Sequence, residues 1–250
     1  MTFETKDDFL KCVRNELVPE NPKTSEGLVG LLEYRINTSE GRNKRHPDSL
    51  YEGYDEKKGK YYGKSITSEC FNEIYGIDPF LEGSSDTIFN CWSYISIFAR
   101  GRLNKRYINE KNILENLNTI FYGYENVRFL LDKLANYQHS MANLMPAPIG
   151  FNGSKSHDGK GNYKKDNDMP DIYYLRAKYD FPEMYKWIND KMELYKLSFF
   201  RDYESGFSDG VANVSIRSDE EIELLIKSII NAIDCIEKRA GKLAKMVENP

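Results

Sequence analysis

The final stretch of the chain, residues 219–247, repeats apolar side chains at helical spacing further than any other segment. Ile222, Leu225, Ile226, Ile229, Ile230, Ile233, Ile236 and Leu243 fall along one continuous stripe. A helix with such a stripe gains its stability from whatever covers the stripe, because helix propensity alone is marginal in water. The cover is other helices of the same chain or a partner protein, and the core reading is preferred. Arg239 and Lys242, on the later turns, suit the negative end of the helix dipole. This one segment directs the fold towards a helical body built around its last element.

The rest of the chain supplies the covering helices. Phe9, Leu10, Val13 and Leu17 predict a helix over 5–18, closed by Pro19. Ser25 is a natural cap for a helix over 25–36, with Leu28, Leu31, Leu32 and Ile36 on its apolar face. Asp86 is expected to cap a helix over 87–100, whose stripe is Ile88, Phe89, Trp92, Ile95 and Phe98 and whose stop is Gly101. Helical runs follow at 110–120 and 125–138, the second with Val127, Leu130, Leu131 and Leu134 inward. Pro170 suits the first turn of a helix over 171–179, and Pro182 opens another reaching Phe199. Residues 201–217 read as loop. Residues 37–64 are rich in Gly and Lys and too polar to be core. They read as a long polar surface loop or a two-stranded flap. Their cations, among them Arg42, Lys44, Arg45, Lys57, Lys58, Lys60 and Lys64, are read as a solvated face, with a phosphate-binding surface as the alternative. No repeat is visible. The expectation is one mainly α domain over residues 1–250, with a central irregular loop or short β-hairpin at 139–168 and a long C-terminal helix.

Composition removes several function classes. A formal net charge of −4 gives no global electrostatic case for nucleic acid or an anionic membrane. Cys12, Cys70, Cys91 and Cys235 stand far apart with no C-x-x-C pair, which argues against a zinc site and a disulfide framework. No segment approaches the ~20 apolar residues of a membrane span, and the opening residues lack the apolar core of a signal peptide. A cytoplasmic protein without a membrane partner is expected.

Candidate chemistry gathers in the central loop, 139–168. Pro146 and Pro148, with Gly150 and Gly153, break any continuous helix there; residues 143–148 should be extended and the glycines should permit a tight turn. His139, Asn143 and Asn152 are the candidate catalytic groups: an imidazole takes a proton near neutrality, and amides orient a base or hold a turn. Lys155, His157 and Lys160 are the candidate binding groups, suited to an anion. Each has a plainer role. The asparagines can satisfy main-chain groups of a non-helical crossing, His139 can end a helix, and His157 with Asp158 can stand in solvent.

Two resemblances attach to these residues. The segment from His139-Ser-Met-Ala-Asn143 through Pro146 to Asn152, with the segment from Ser84 to Asn90 before it and the segment from Ile236 to Leu243 near the end, resembles a family of bacterial proteins without an established activity. Their shared signature is His-Ser/Thr-x-x-Asn, then Pro, then Asn. More weakly, Ala142-Asn143-Leu144, Asn152, Ile236 and Arg239 resemble the second half of the HNH (His-Me finger) nuclease domain of GmrSD-type restriction enzymes. That resemblance implies a metal-dependent nuclease acting on nucleic acid, with a divalent metal as cofactor, His139 or His46 as base and Asp158 or Asp168 at the metal. The acidic-His element that opens the nuclease pattern has no counterpart here. A nuclease-like turn without its base implies catalysis lost or relocated. The function expected is therefore a binding or regulatory module carrying a degenerate nuclease-like turn, its partner nucleic acid or another protein. The alternatives are the metal-dependent nuclease and a helical protein-protein interaction protein.

Overall fold

The computed structural model describes residues 3–11, 13, 27–39, 53–55, 57, 60–62, 66–76, 84–157, 160, 162, 168–207 and 215–248. These residues are mainly α-helical. Helix α1 (Lys6–Leu10) opens with a reciprocal cap: the Thr5 hydroxyl accepts from the Asp8 N–H at 3.4 Å, and the Asp8 carboxylate accepts from the Thr5 N–H at 2.9 Å. The helix stops at Leu10, and of the expected extent to residue 18, residues 12 and 14–18 lie outside the described residues. Lys11 turns extended, and the Val13 N–H donates to the His139 carbonyl at 3.0 Å, so a tertiary bond replaces the next helical one. Helix α2 (Gly27–Ser39) is capped from outside itself; the proposed cap, Ser25, lies outside the described residues. Asn136 Oδ1 accepts from Gly27 N at 2.6 Å and Asp132 Oδ1 from Leu28 N at 3.0 Å.

Strands β1 (Gly53–Asp55) and β2 (Lys60–Tyr62) pair antiparallel, the flap form of the polar segment. Helix α3 (Ile66–Tyr75), which the periodicity reading passed over, buries Cys70, Phe71, Ile74 and Tyr75 on one face. Strand β3 (Ser84–Thr87) overturns the expected cap at Asp86. Asp86 is a strand residue, and Asn90 caps α4 (Cys91–Leu103), its Oδ1 accepting from the Trp92 N–H at 3.1 Å. The helix also runs through Gly101 and ends at Asn104, whose left-handed φ of 50° closes it. Gly101 is needed for contact: a Cβ there would lie 1.6 Å from the Ile216 carbonyl oxygen. Trp92 is half-buried under the Arg35 guanidinium, 4.9 Å from ring centre, which corrects its expected core position.

The run expected over 110–120 is two helices, α5 (Glu110–Glu115) and α6 (Leu117–Phe121), broken at Asn116. Helix α7 (Glu125–Tyr137) leads to the central crossover, which holds strand β4 (Leu144–Ala147) and helix α8 (Phe151–Ser156). Helices α9 (Pro170–Asp180) and α10 (Pro182–Lys191) follow with proline in their first turns. The second does not reach Phe199: Lys196 takes a left-handed φ of 53°, and α11 (Phe199–Asp202) is separate.

Helix α12 (Asp219–Glu248), 30 residues long, buries most of the predicted stripe, with Ile230 left exposed. Leu225, Ile229, Ala232, Ile236, Ala240 and Leu243 are fully buried or nearly so. Helix α12 packs against α1, α3, α4 and α7 and against the crossover. Lys133 and Tyr137 of α7 meet the Glu237 carboxylate at 2.7 and 3.0 Å, joining the two helices at their rim. The crossover is thus surrounded by packed helices.

Candidate functional site at the central crossover

Helix α7 ends at Tyr137, Gln138 and His139 follow in a turn, and a single 3-10 turn, Met141–Asn143, redirects the chain into β4. Strand β4 pairs antiparallel with β3, Ser84 opposite Ala147 and Thr87 opposite Leu144. Pro146 is tolerated because a two-stranded ribbon has only edges, so its missing N–H breaks no inner ladder. The expectation of an extended chain before the prolines holds from Leu144, while Asn143 belongs to the 3-10 turn. Gly150 then makes the tight turn with φ 87°, beside the 84% exposed Ile149. Gly153 does not turn. It lies inside α8, so the loop contains a short helix where irregular chain was expected.

Asn143 is 0% exposed, and its amide is committed to main chain. Oδ1 accepts from Phe89 N at 2.9 Å, while Nδ2 donates to the Phe89 carbonyl at 2.9 Å and the Gln138 carbonyl at 3.0 Å. Its own carbonyl accepts from Ile88 N at 2.9 Å. One asparagine therefore stitches the start of α4, the end of α7 and the turn between them. Gln138 adds a second stitch, Oε1 accepting from Cys91 N at 2.6 Å. His139 is buried with its ring edge-on to Tyr34, centroids 5.6 Å apart. Asn152 stands exposed on α8. One candidate amide is buried and bonded and the other faces solvent, so the two present no common surface.

The proposed binding residues also part company. Lys160 is exposed. His157, half-buried, pairs Nδ1 with the Gly153 carbonyl at 2.9 Å, and its own carbonyl accepts from Arg176. Lys155 turns inward: its ammonium lies 2.8 Å from Asp86 Oδ2 and 3.7 Å from Asp168 Oδ1. The Asp168 Oδ2 accepts from the Ser93 hydroxyl at 2.9 Å. Asp86 arrives on β3, Lys155 on α8 and Asp168 just before α9, so this cluster locks three elements. A void of about 10 Å³ beside it has room for about one water. Tyr173, which pairs with Ser154 at 3.0 Å, is pushed up to about 12 by burial and stays a phenol. The Asp168 that the nuclease alternative places at a metal shares its carboxylate with an ammonium ion instead.

Arg239, expected only to suit the helix dipole and to echo the nuclease pattern, is instead buried. On the stripe between Ile236 and Leu243 it is only 2% exposed. Its guanidinium donates to the carbonyls of Met141, Ala142 and Leu144 at 3.1, 2.9 and 2.8 Å, to Tyr195 O at 3.0 Å and to the Tyr75 hydroxyl at 2.9 Å. Burial pushes it below its usual value, and Tyr75 partly offsets this. A cation set on an apolar stripe was the available signal; a charge there must find buried partners.

Chemically, the crossover is a node of satisfied main chain with a buried ion cluster beside it. His46 and Asp158 lie outside the described residues. Among the described residues, no group of three or more His, Cys, Asp or Glu is placed to hold a metal ion. Compared with known proteins, the chain matches no family model, no curated protein and no solved structure.

Proposed function

We propose that this chain is a binding or regulatory module in which a nuclease-like turn serves as scaffold. The observation that carries the reading is the commitment of Asn143: three side-chain bonds, all to main chain, leave its amide nothing with which to orient a base or a metal. Arg239 supports the same reading, since it holds the carbonyls of the turn from behind. So does Lys155, whose charge is used between two carboxylates. Kinship with the bacterial signature family and with the HNH turn belongs to this proposal as shared backbone design, without shared catalysis.

The test is a nuclease assay of the full chain with Mg²⁺, Mn²⁺ or Zn²⁺ on single- and double-stranded DNA and RNA, beside His139→Ala. We expect no turnover in either protein. Metal-dependent cleavage by the wild type that disappears in His139→Ala would transfer the assignment to the nuclease alternative.

A further inference from the structure

We propose that the cleft between α11 and the late turns of α12 binds a small phosphate-bearing molecule. The proposal rests on the reading of the chain as a binding module and supplies the chemistry of its ligand. The cleft measures about 170 Å³, a little more than the ~150 Å³ that accommodates a benzene ring. A phosphate with a small organic group fits that volume.

Charge decides what kind of molecule it is. Lys238, Arg239 and Lys242 line the cleft from α12, Lys196 and Ser198 line it from the segment before α11, and Asp202 is the only carboxylate in the wall. Four cations face one anion, a local excess of three positive charges on a chain whose formal net charge is −4. Spacing of three and four residues puts Cys235, Lys238, Arg239 and Lys242 along one side of the helix.

The cations are available. Lys238 has no hydrogen bond or ion pair among the described residues, and it is exposed at the cleft. Among the described residues Lys242 donates only to the Ser198 hydroxyl, at 2.7 Å. Lys196 lies 4.0 Å from Glu193, whose side chain is 93% exposed and so holds it weakly. Behind them the buried Arg239 bonds carbonyls and a phenol and has no carboxylate partner among the described residues, so its charge is not neutralised there. Three ammonium groups and a hydroxyl make a donor set for a phosphate dianion, with the guanidinium adding charge from behind.

Phe199 and Cys235 form the apolar part of the wall and suit the organic portion. Burial pushes the Cys235 thiol up to about 11, so it is neutral there and serves as surface. The cleft is concave and small, which favours a discrete phosphate compound over the backbone of a nucleic acid.

Calorimetric titration of the full chain with inorganic phosphate and with pyrophosphate tests this, with Lys238→Glu and Lys242→Gln compared. Both positions are exposed, and an unchanged melting temperature will certify the fold of each variant. Expected are saturable one-to-one binding that weakens as salt is raised, and an affinity at least about tenfold lower in Lys238→Glu. Bound pyrophosphate should also slow alkylation of Cys235 several-fold, as read by peptide mass. No saturable binding, or equal affinity in wild type and Lys238→Glu, overturns the proposal. An oligonucleotide that binds through Lys238 and is not displaced by pyrophosphate overturns it too. These outcomes are independent of the nuclease assay: an empty cleft leaves the scaffold reading intact, and metal-dependent cleavage sinks that reading without altering the isotherm.

Discussion

Asn143 concentrates the logic of this molecule in one side chain. Its amide fills one buried donor and two buried acceptors that the bend would otherwise leave bare. Replacing it with alanine should cost about 3 kcal/mol, the order expected when several buried main-chain groups lose partners and partly relax. Asn143→Asp should be worse at neutral pH. One carboxylate oxygen keeps the Phe89 N–H, but the other faces two carbonyl oxygens and repels them. Those carbonyls raise the folded-state pKa of the introduced acid, so its penalty is present above that pKa and is relieved as pH falls and it protonates. Urea unfolding of both variants should therefore show a gap that narrows on acidification; a gap independent of pH would mean the carbonyls do not face that atom. The residue type was legible in sequence, since asparagine commonly satisfies irregular main chain. Its partner was not, because Phe89 lies 54 positions away and no local pattern connects the two. For His139 the sequence offered an imidazole able to take a proton, while its packing against Tyr34 depends on a helix far upstream.

Among the elements, those whose information is local were read well and those shaped by a neighbour were not. The α12 stripe and the proline starts of α9 and α10 need nothing beyond their own residues. By contrast, Asp86 and Asn90 are both good caps, and the choice fell to Asn90 because β4 recruits residues 84–87 into a ribbon. Gly101 makes the sharper case. Glycine ends helices and also admits close approach, and sequence cannot tell the two apart. In α4 it does the second, with the chain around Ile216 lying directly against it and Ile216 N bonded to Ile97 O at 3.2 Å. If Gly101 were an incidental helical glycine, Gly101→Ala would stabilise the helix by roughly 1 kcal/mol through propensity. Because a Cβ would meet a backbone oxygen at 1.6 Å, the variant should instead lose about 2–3 kcal/mol as residues 215–217 are forced away. Thermal and urea denaturation give the sign directly, and a stabilised variant would contradict the packing.

Over the whole molecule, the long helix and the crossover depend on each other through Arg239. The apolar stripe of α12 would pack against any suitable set of helices, but hydrophobic contact is not directional and leaves register unspecified. Five hydrogen bonds from one guanidinium, three of them to the carbonyls of Met141, Ala142 and Leu144 around the 3-10 turn, fix where along α12 the crossover sits. Arg239→Met keeps the volume and the apolar character but leaves those carbonyls buried without donors. It should cost about 3–5 kcal/mol. Arg239→Lys restores a charge and three rotatable donors without the planar fork, so it should recover only part of the loss. If the coupling is as described, the damage will be uneven. Amides at the turn, such as Asn143 N–H bonded to the Ser140 carbonyl, should exchange with solvent much faster in Arg239→Met. Amides in the middle of α4, away from that contact, should slow or quicken only with global stability. Uniform loss of protection in both places would mean that Arg239 contributes burial alone, and that the register of α12 is set by its stripe after all.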